Sequence, residues 1–196
     1  MREVELKAVL DSWRDRSARL ERAGATRVFS GRIEDRRFDT PQHSLAARDI
    51  VLRLRVYRGA QGTRAELEYK GATRYEEGYK VREEVGSTVS DPEAVTHMLS
   101  GLGYTLTREI DREIEQWEVE GASVRFERYP RMDDLVEVEG TPETIERAIA
   151  ALGISRSAYT AERLTDFAMR YEARTGERAA LSDAELGAGA PPARKR

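Results

Sequence analysis

The sequence has 196 residues, of which 35% are charged and 39% hydrophobic, and its formal net charge is −3. This length suits one domain with a sizeable core, and the charge balance excludes a bulk basic surface for nucleic acid. The absence of cysteine excludes disulfides, thiolate metal sites and a cysteine nucleophile. No apolar run approaches the length of a signal peptide or a membrane span, so we expect a cytoplasmic protein that does not enter a membrane.

The chain alternates between extended segments with a period of two and short amphipathic helices. The predicted strands are residues 3–7, 26–39, 50–58, 64–70, 78–85, 104–119, 123–129 and 134–139. The predicted helices are residues 12–23, 91–101, 141–152 and 160–175. Residues 1–175 are therefore expected to form one α+β domain. The segment 176–196, rich in Ala, Gly and Arg, is expected to be a disordered tail.

Charged side chains recur at every second position in six of the predicted strands. They are Glu3, Glu5 and Lys7; Arg53 and Arg55; Glu66, Glu68 and Lys70; Lys80, Arg82 and Glu84; Arg125 and Glu127; and Glu137 and Glu139. Because strand side chains alternate between the two faces of a sheet, each strand has one charged and one apolar face. The helices need apolar faces to pack on, so the charged faces point away from them. Two arrangements satisfy this pattern: an open sheet with its charges in solvent, or a closed barrel with its charges in the lumen.

A charged lumen would constrain what the protein binds. Such a lumen costs free energy unless each charge is paired, hydrated or bound to a ligand. A polyanion together with a divalent cation would satisfy both signs, since Arg and Lys bind phosphate oxygens and carboxylates bind Mg²⁺ or Mn²⁺. The pattern by itself favours the open sheet, because strands with one charged face are common.

Several motifs resemble those of the CYTH superfamily, the triphosphate tunnel metalloenzymes. Residues 3–7, Glu-Val-Glu-Leu-Lys, look like the family's ExExK signature, and residues 52–55, Leu-Arg-Leu-Arg, look like its paired-arginine strand. Further similarities to family segments follow in the family's order at residues 68–71, 79–84, 102–104 and 136–140. The resemblance extends from Arg2 to about Tyr171. It implies an eight-stranded antiparallel β-barrel that binds a triphosphate in its lumen, with helices packed on the outside.

The resemblance also implies roles for individual residues. The metal, Mg²⁺ or Mn²⁺, would be held by Glu3, Glu5, Glu137 and Glu139. The triphosphate would be bound by Lys7, Arg53, Arg55, Lys70, Lys80, Arg82 and Arg112, with Arg108 a weaker match than Arg112. The catalytic set would be Lys7, Arg55 and Glu127. Glu127 stands where the family usually has Asp, so this position departs from the family's pattern.

The implied function is that of a metal-dependent enzyme acting on ATP, tripolyphosphate or thiamine triphosphate. We expect hydrolysis, and the alternative is a class IV adenylyl cyclase that converts ATP to cyclic AMP and pyrophosphate. Residues 79–84 are closer to the cyclase-like subgroup, whereas the His-Phe pair that some cyclases carry before ExExK is absent from this sequence. Two non-enzymatic alternatives are a polyphosphate or nucleotide sensor and a structural domain with an ionic surface. The protein is expected to be a monomer or a homodimer.

Overall fold

The computed structural model describes residues 2–187, and its elements follow the predicted order. The strands are β1 Arg2–Val9, β2 Thr26–Asp39, β3 Val51–Gly59, β4 Gly62–Lys70, β5 Arg74–Glu76, β6 Tyr79–Val89, β7 Thr105–Val119, β8 Ala122–Arg128 and β9 Leu135–Glu139. The α-helices are α1 Trp13–Arg22, α2 Pro92–Gly101, α3 Pro142–Leu152, α4 Leu164–Thr175 and α5 Asp183–Gly187. None of the helices in these residues has the length and apolarity needed to cross a membrane.

Eight strands form a closed antiparallel barrel in the order β1, β9, β8, β7, β2, β3, β4 and β6. The barrel closes where residues 2–5 of β1 pair with residues 80–83 of β6. The short strand β5 pairs with β6 and continues the line of β4. Closure places one face of every barrel strand in a shared lumen. The closed-barrel alternative is therefore confirmed, and the open sheet, which the charge pattern by itself favours, is wrong.

The helices pack on the outside of the barrel, where the apolar faces of the strands lie. α3 starts after its capping residue Thr141 and buries Ile145 and Ile149 on one side. These side chains belong to the same buried cluster as Leu6 of β1 and Val124 of β8. Because removal of apolar surface from water stabilises the fold, this outer core forces the charged faces of the same strands inward.

Apolar side chains close the lumen at one level. Ile33, Tyr57 and Ile114 form a buried cluster, with Phe29 packed beside it. The strand register places them on the same face as Arg112, which points into the lumen. The ionic part of the lumen is thus a cavity with an apolar floor and not an open channel.

The segment after α4 lies against the barrel, which differs from the disordered tail expected from residue 176. Ala180 and Leu181 are buried, and Ala180 pairs with Arg131 through two backbone hydrogen bonds. Leu181 joins an apolar cluster with side chains of α4 and the barrel. Burial of these few apolar groups offsets the conformational entropy that the segment loses when it is ordered. The composition of the whole segment does not reveal this contribution. The rest of the expected tail, residues 188–196, lies outside the described residues.

Candidate functional site

An ionic cavity of about 220 Å³ lies in the lumen next to the apolar floor. Its positively charged lining residues are Lys7, Arg37, Arg53, Arg55, Lys70, Lys80, Arg82, Arg108, Arg112, Arg125 and Arg163. Its acidic lining residues are Glu3, Glu5, Asp35, Asp49, Glu127 and Glu137. Eleven positive charges therefore face six negative ones, an excess of five. Such an excess in a confined space suits a polyanionic ligand.

The end of the signature motif on β1 contributes Glu5 and Lys7 to this wall, and both have ion-pair partners. Lys7 pairs with Glu5 at 2.7 Å and also with Glu137. Glu5 pairs in addition with Lys80. Burial lowers the pKa of Lys7, but the carboxylates of Glu137 and Glu5 outweigh burial and raise this pKa above its usual value. Lys7 is therefore a permanent positive charge on the cavity wall.

Asp35 of β2 is the acidic centre of the arginine cluster, although the sequence pattern did not mark it as a site residue. Its carboxylate accepts hydrogen bonds from Arg55 at 2.6 and 2.9 Å, from Arg53 at 3.3 Å and from Arg112 at 3.0 Å. Burial opposes ionisation, but the three guanidinium groups hold the pKa of Asp35 well below its usual range. Residues 34–37 are all charged, so the alternation that marks a lumen-facing side chain was hidden in this strand.

Glu127 of β8 is the second acidic centre. It accepts hydrogen bonds from Arg112 at 3.0 Å, from Arg125 at 2.9 Å and from the Tyr129 hydroxyl at 2.6 Å. Burial opposes ionisation of Glu127, but the two arginines lower its pKa. Arg125, a lumen-facing residue for which the family resemblance implied no role, also pairs with Glu137. Glu127 therefore orients two of the positive charges that face the cavity.

Arg82 and Asp49 tie loops together at the mouth of the cavity. Arg82 donates hydrogen bonds to the carbonyl oxygens of Gly71 and Asp49, both at 2.6 Å. The Asp49 carboxylate accepts from the backbone N–H of Thr73 at 2.7 Å and from Arg163 at 3.0 Å. Arg82 thus lines the cavity as expected, but much of its hydrogen-bonding capacity is used to shape the mouth.

The acidic residues expected to hold a metal fit that role in their chemistry. Glu3 pairs with Lys70 at 2.5 Å, yet its Oε2 atom is buried without a hydrogen-bond partner among the described residues. Burial and the carboxylates of Glu137 and Glu3 raise the pKa of Glu139 to about 7. Crowded carboxylate oxygens of this kind are suitable ligands for a hard divalent cation. Within residues 2–187, however, no three acidic or histidine side chains are close enough to hold a metal as they stand.

One predicted site residue lies apart from the cavity wall. Glu139 is the register partner of Glu5, but it lines a second, more open cavity of about 1360 Å³ near the start of β1. Glu66, which has the same strand parity as Glu68, pairs with Arg64 and is not on the wall of the ionic cavity. All the other predicted site residues line the ionic cavity. We place the site there because that wall holds the buried charges.

Solved structures share this fold. A protein of Pyrococcus horikoshii is 20% identical, with a TM-score of 0.71 over 86% of this chain and 98% of its own. A candidate adenylate cyclase of Vibrio parahaemolyticus is 18% identical, with a TM-score of 0.71 over 84% and 96% of the two chains. A candidate adenylyl cyclase of Hippeastrum, in which a triphosphatase activity is dominant, is 20% identical, with a TM-score of 0.60 over 91% and 98%. At these identities the likeness establishes the fold alone.

The family follows from the sequence itself. No curated protein matches the chain significantly. The CYTH domain matches residues 1–150, which include every strand of the barrel. The acidic and basic motifs of β1, β3, β4, β6 and β9 lie within this match, and most of their charged residues line the ionic cavity. The chain therefore belongs to the CYTH domain family.

Proposed function

We propose that this protein is a divalent-metal-dependent enzyme that hydrolyses a phosphoanhydride bond of a triphosphate held in the ionic cavity. The observation that carries the proposal is the excess of five positive charges on an enclosed wall. Glu68 and Glu84, beside the wall, pair with Arg53 and Lys70, which reduces the excess to three among the described residues. A remaining excess of positive charge costs free energy in the free protein, so it points to a ligand of opposite charge. Phosphoryl transfer depends mainly on positioning and on neutralisation of charge, which this wall can supply.

The proposed roles divide the wall by charge. Phosphate oxygens would be bound by Lys7, Arg53, Arg55, Lys70, Lys80, Arg82 and Arg112. Mg²⁺ or Mn²⁺ would be held by Glu3, Glu5 and Glu137 of the wall together with Glu139, which lies off the wall but interacts electrostatically with Glu137 and Glu3. There the metal would neutralise phosphate charge and make a bound water more acidic. Lys7 and Arg55 would touch the reacting phosphate. Glu127 would act as a positioning residue, because it holds Arg112 and Arg125 by hydrogen bonds.

Two observations favour hydrolysis over cyclisation. Among the described residues, Tyr129 is the single aromatic side chain on the cavity wall, and its hydroxyl already donates to Glu127. The wall therefore offers little surface on which an adenine base could stack. The Hippeastrum neighbour has a dominant triphosphatase activity. Class IV adenylyl cyclase activity is the second candidate, which the Vibrio neighbour supports.

An activity panel tests the proposal. The purified protein is incubated with Mg²⁺ or Mn²⁺ and with ATP, tripolyphosphate or thiamine triphosphate, and the products are separated by ion-exchange chromatography. We expect release of orthophosphate. Cyclic AMP together with pyrophosphate would establish the cyclase instead. Thermal stabilisation by tripolyphosphate without turnover in either metal would establish a sensor.

A pair of glutamate variants tests the assignment of the metal site. Glu5→Gln should abolish metal-dependent turnover, because it replaces a buried carboxylate with an uncharged group of nearly the same shape. Glu93→Gln on α2 changes an exposed glutamate and should keep wild-type turnover. Full activity in Glu5→Gln would contradict the assignment of the metal ligands.

A further inference from the structure

Arg37 and Arg108, which we call the outer arginine pair, lie side by side on the wall of the ionic cavity. They are register partners in the β2–β7 pair, and Arg37 is also the register partner of Arg53 in the β2–β3 pair. Three guanidinium groups therefore occupy one row across three adjacent strands. Like charges directly opposite each other on a sheet are destabilising. This row is thus unfavourable in the free protein unless something compensates it.

The neighbouring carboxylates are already used by other arginines. Glu68, the next residue in the same row, accepts a hydrogen bond from Arg53 at 2.5 Å. Asp35 accepts four hydrogen bonds from three other arginines, which fills the usual capacity of a carboxylate. Within residues 2–187, neither side chain of the outer arginine pair forms a hydrogen bond or ion pair, and Nε of Arg37 is buried without a partner. The outer arginine pair, which is part of the cavity wall, therefore retains N–H donors that no described residue uses.

The outer arginine pair lies between the apolar floor and the mouth of the cavity. Along the lumen face of β2 the floor residue Ile33 comes first, and Asp35, Arg37 and Asp39 follow it. Asp39 accepts hydrogen bonds from the backbone of the loop that follows β2. The β2–β7 register shifts directly after Arg37, and such bulges redirect side chains next to functional sites. Burial and the charges of Arg53 and Arg108 lower the pKa of Arg37 to about 9, so its guanidinium stays charged at neutral pH.

We propose that the outer arginine pair is an anion subsite that binds the phosphate at the mouth-side end of a polyphosphate chain. The proposal rests on the proposed function, because it adds a terminal position to the same cavity. Guanidinium groups present parallel N–H donors that match phosphate oxygens. A chain of three phosphates, such as inorganic tripolyphosphate, is long enough to fill the subsite, whereas the two phosphates of pyrophosphate occupy the deeper wall and leave it empty.

Calorimetric binding without metal tests the subsite in the variants Arg37→Gln and Arg108→Gln. Each variant should raise the Kd for tripolyphosphate at least about tenfold, since a hydrogen bond to a charged group is lost, and change the Kd for pyrophosphate less than about twofold. The melting temperature of free Arg37→Gln should rise, because a partly buried cation whose Nε has no partner is removed. Arg36→Gln is the matched control on the same strand, since Arg36 pairs with Asp111 at 2.8 Å and Glu109 at 3.0 Å and does not line the cavity. It should bind tripolyphosphate as the wild type does.

The outcomes separate the subsite from the proposed function. Equal weakening for both anions would indicate a general field of positive charge and would overturn the subsite. Unchanged tripolyphosphate affinity in both variants would overturn it as well. A lower melting temperature of free Arg37→Gln would show that Arg37 is structural, and the subsite would again be wrong. A wild-type protein that binds neither anion would contradict the proposed function itself.

Discussion

Asp35 balances three buried guanidinium groups with one carboxylate, so it affects stability more than its neighbours do. Its side chain is buried, and its partners Arg53, Arg55 and Arg112 are buried as well. Removal of one member of a buried ionic cluster leaves uncompensated charge, which commonly costs about 3–5 kcal/mol. The same network fixes the positions of Arg53, Arg55 and Arg112, all three expected to bind phosphate.

Asp35→Asn should lower the free energy of unfolding at neutral pH by about 3–5 kcal/mol. Because the folded-state pKa of Asp35 is depressed, its contribution is present above the unfolded value of 3.8 and is lost as pH falls below it. The difference between wild type and variant should therefore shrink below about pH 4, as urea unfolding at several pH values would show. Glu113→Gln, on the exposed side of β7, is the control and should leave stability nearly unchanged. A pH-independent difference would contradict the role of the charge.

The contribution of Glu139 to stability changes with pH in the opposite direction to that of Asp35. Its pKa rises from 4.5 to about 7 in the folded protein, so folding takes up a proton between these values. Its contribution to stability is fully present below about pH 4.5 and is lost as pH rises through about 7. In a chelating buffer, Glu139→Gln should therefore become more stable than the wild type as pH rises from 4.5 to 7, by up to about 3 kcal/mol. Parallel stability curves for the two proteins would contradict the raised pKa.

At the scale of elements, the segment that contains Leu181 completes the apolar cluster that joins α4 to the barrel. Leu181 packs with Ile110, Tyr129 and Phe167, and two of these, Ile110 and Tyr129, also line the ionic cavity. The backbone N–H of Asp111 donates to the carbonyl of Leu181 at 2.8 Å. The segment is therefore part of the wall's support, although it lies beyond the part of the chain that the CYTH domain matches.

Leu181→Ala should lower the free energy of unfolding by about 2–4 kcal/mol, because it leaves a cavity among well-packed side chains. Leu186→Ala is the matched control, since Leu186 is 46% exposed on α5 and should cost much less. Thermal unfolding of both variants beside the wild type measures the difference. Equal melting temperatures for the two variants would mean that the segment does not contribute to the fold.

At the scale of the whole molecule, the barrel closes along a short seam between residues 2–5 and residues 80–83. By contrast, β2 pairs with β7 along nearly its whole length. A short ladder opens at a lower free energy, so amides at the seam should exchange hydrogen faster than those of β2. Tripolyphosphate should slow exchange at the seam, because Glu3 and Lys80 on its two sides line the ligand cavity. Hydrogen exchange measured by mass spectrometry, with and without tripolyphosphate, tests both expectations, and a seam as protected as β2 would contradict the first.

The local features were predictable from the sequence. The period-two alternation identified eight strands, and Asp91 and Thr141, each before a Pro-Glu pair, marked the starts of α2 and α3, where their side chains cap the helices. Resemblance to the CYTH family added the closed barrel and most of the residues on the cavity wall. These features depend on residues close together in the chain or on a motif, so one sequence suffices to find them.

Only the tertiary structure decided how the charges are shared. Lys70 meets Glu3 across 67 residues of sequence and Arg112 meets Asp35 across 77, distances that no local pattern encodes. The strand register selects these partners, and it also places Glu139 at a separate cavity and leaves the outer arginine pair without a carboxylate. Alternation determines which face a side chain occupies, whereas register between distant strands determines its neighbours. The sequence therefore specified an ionic lumen, and the barrel geometry determined which of its charges remain available to a ligand.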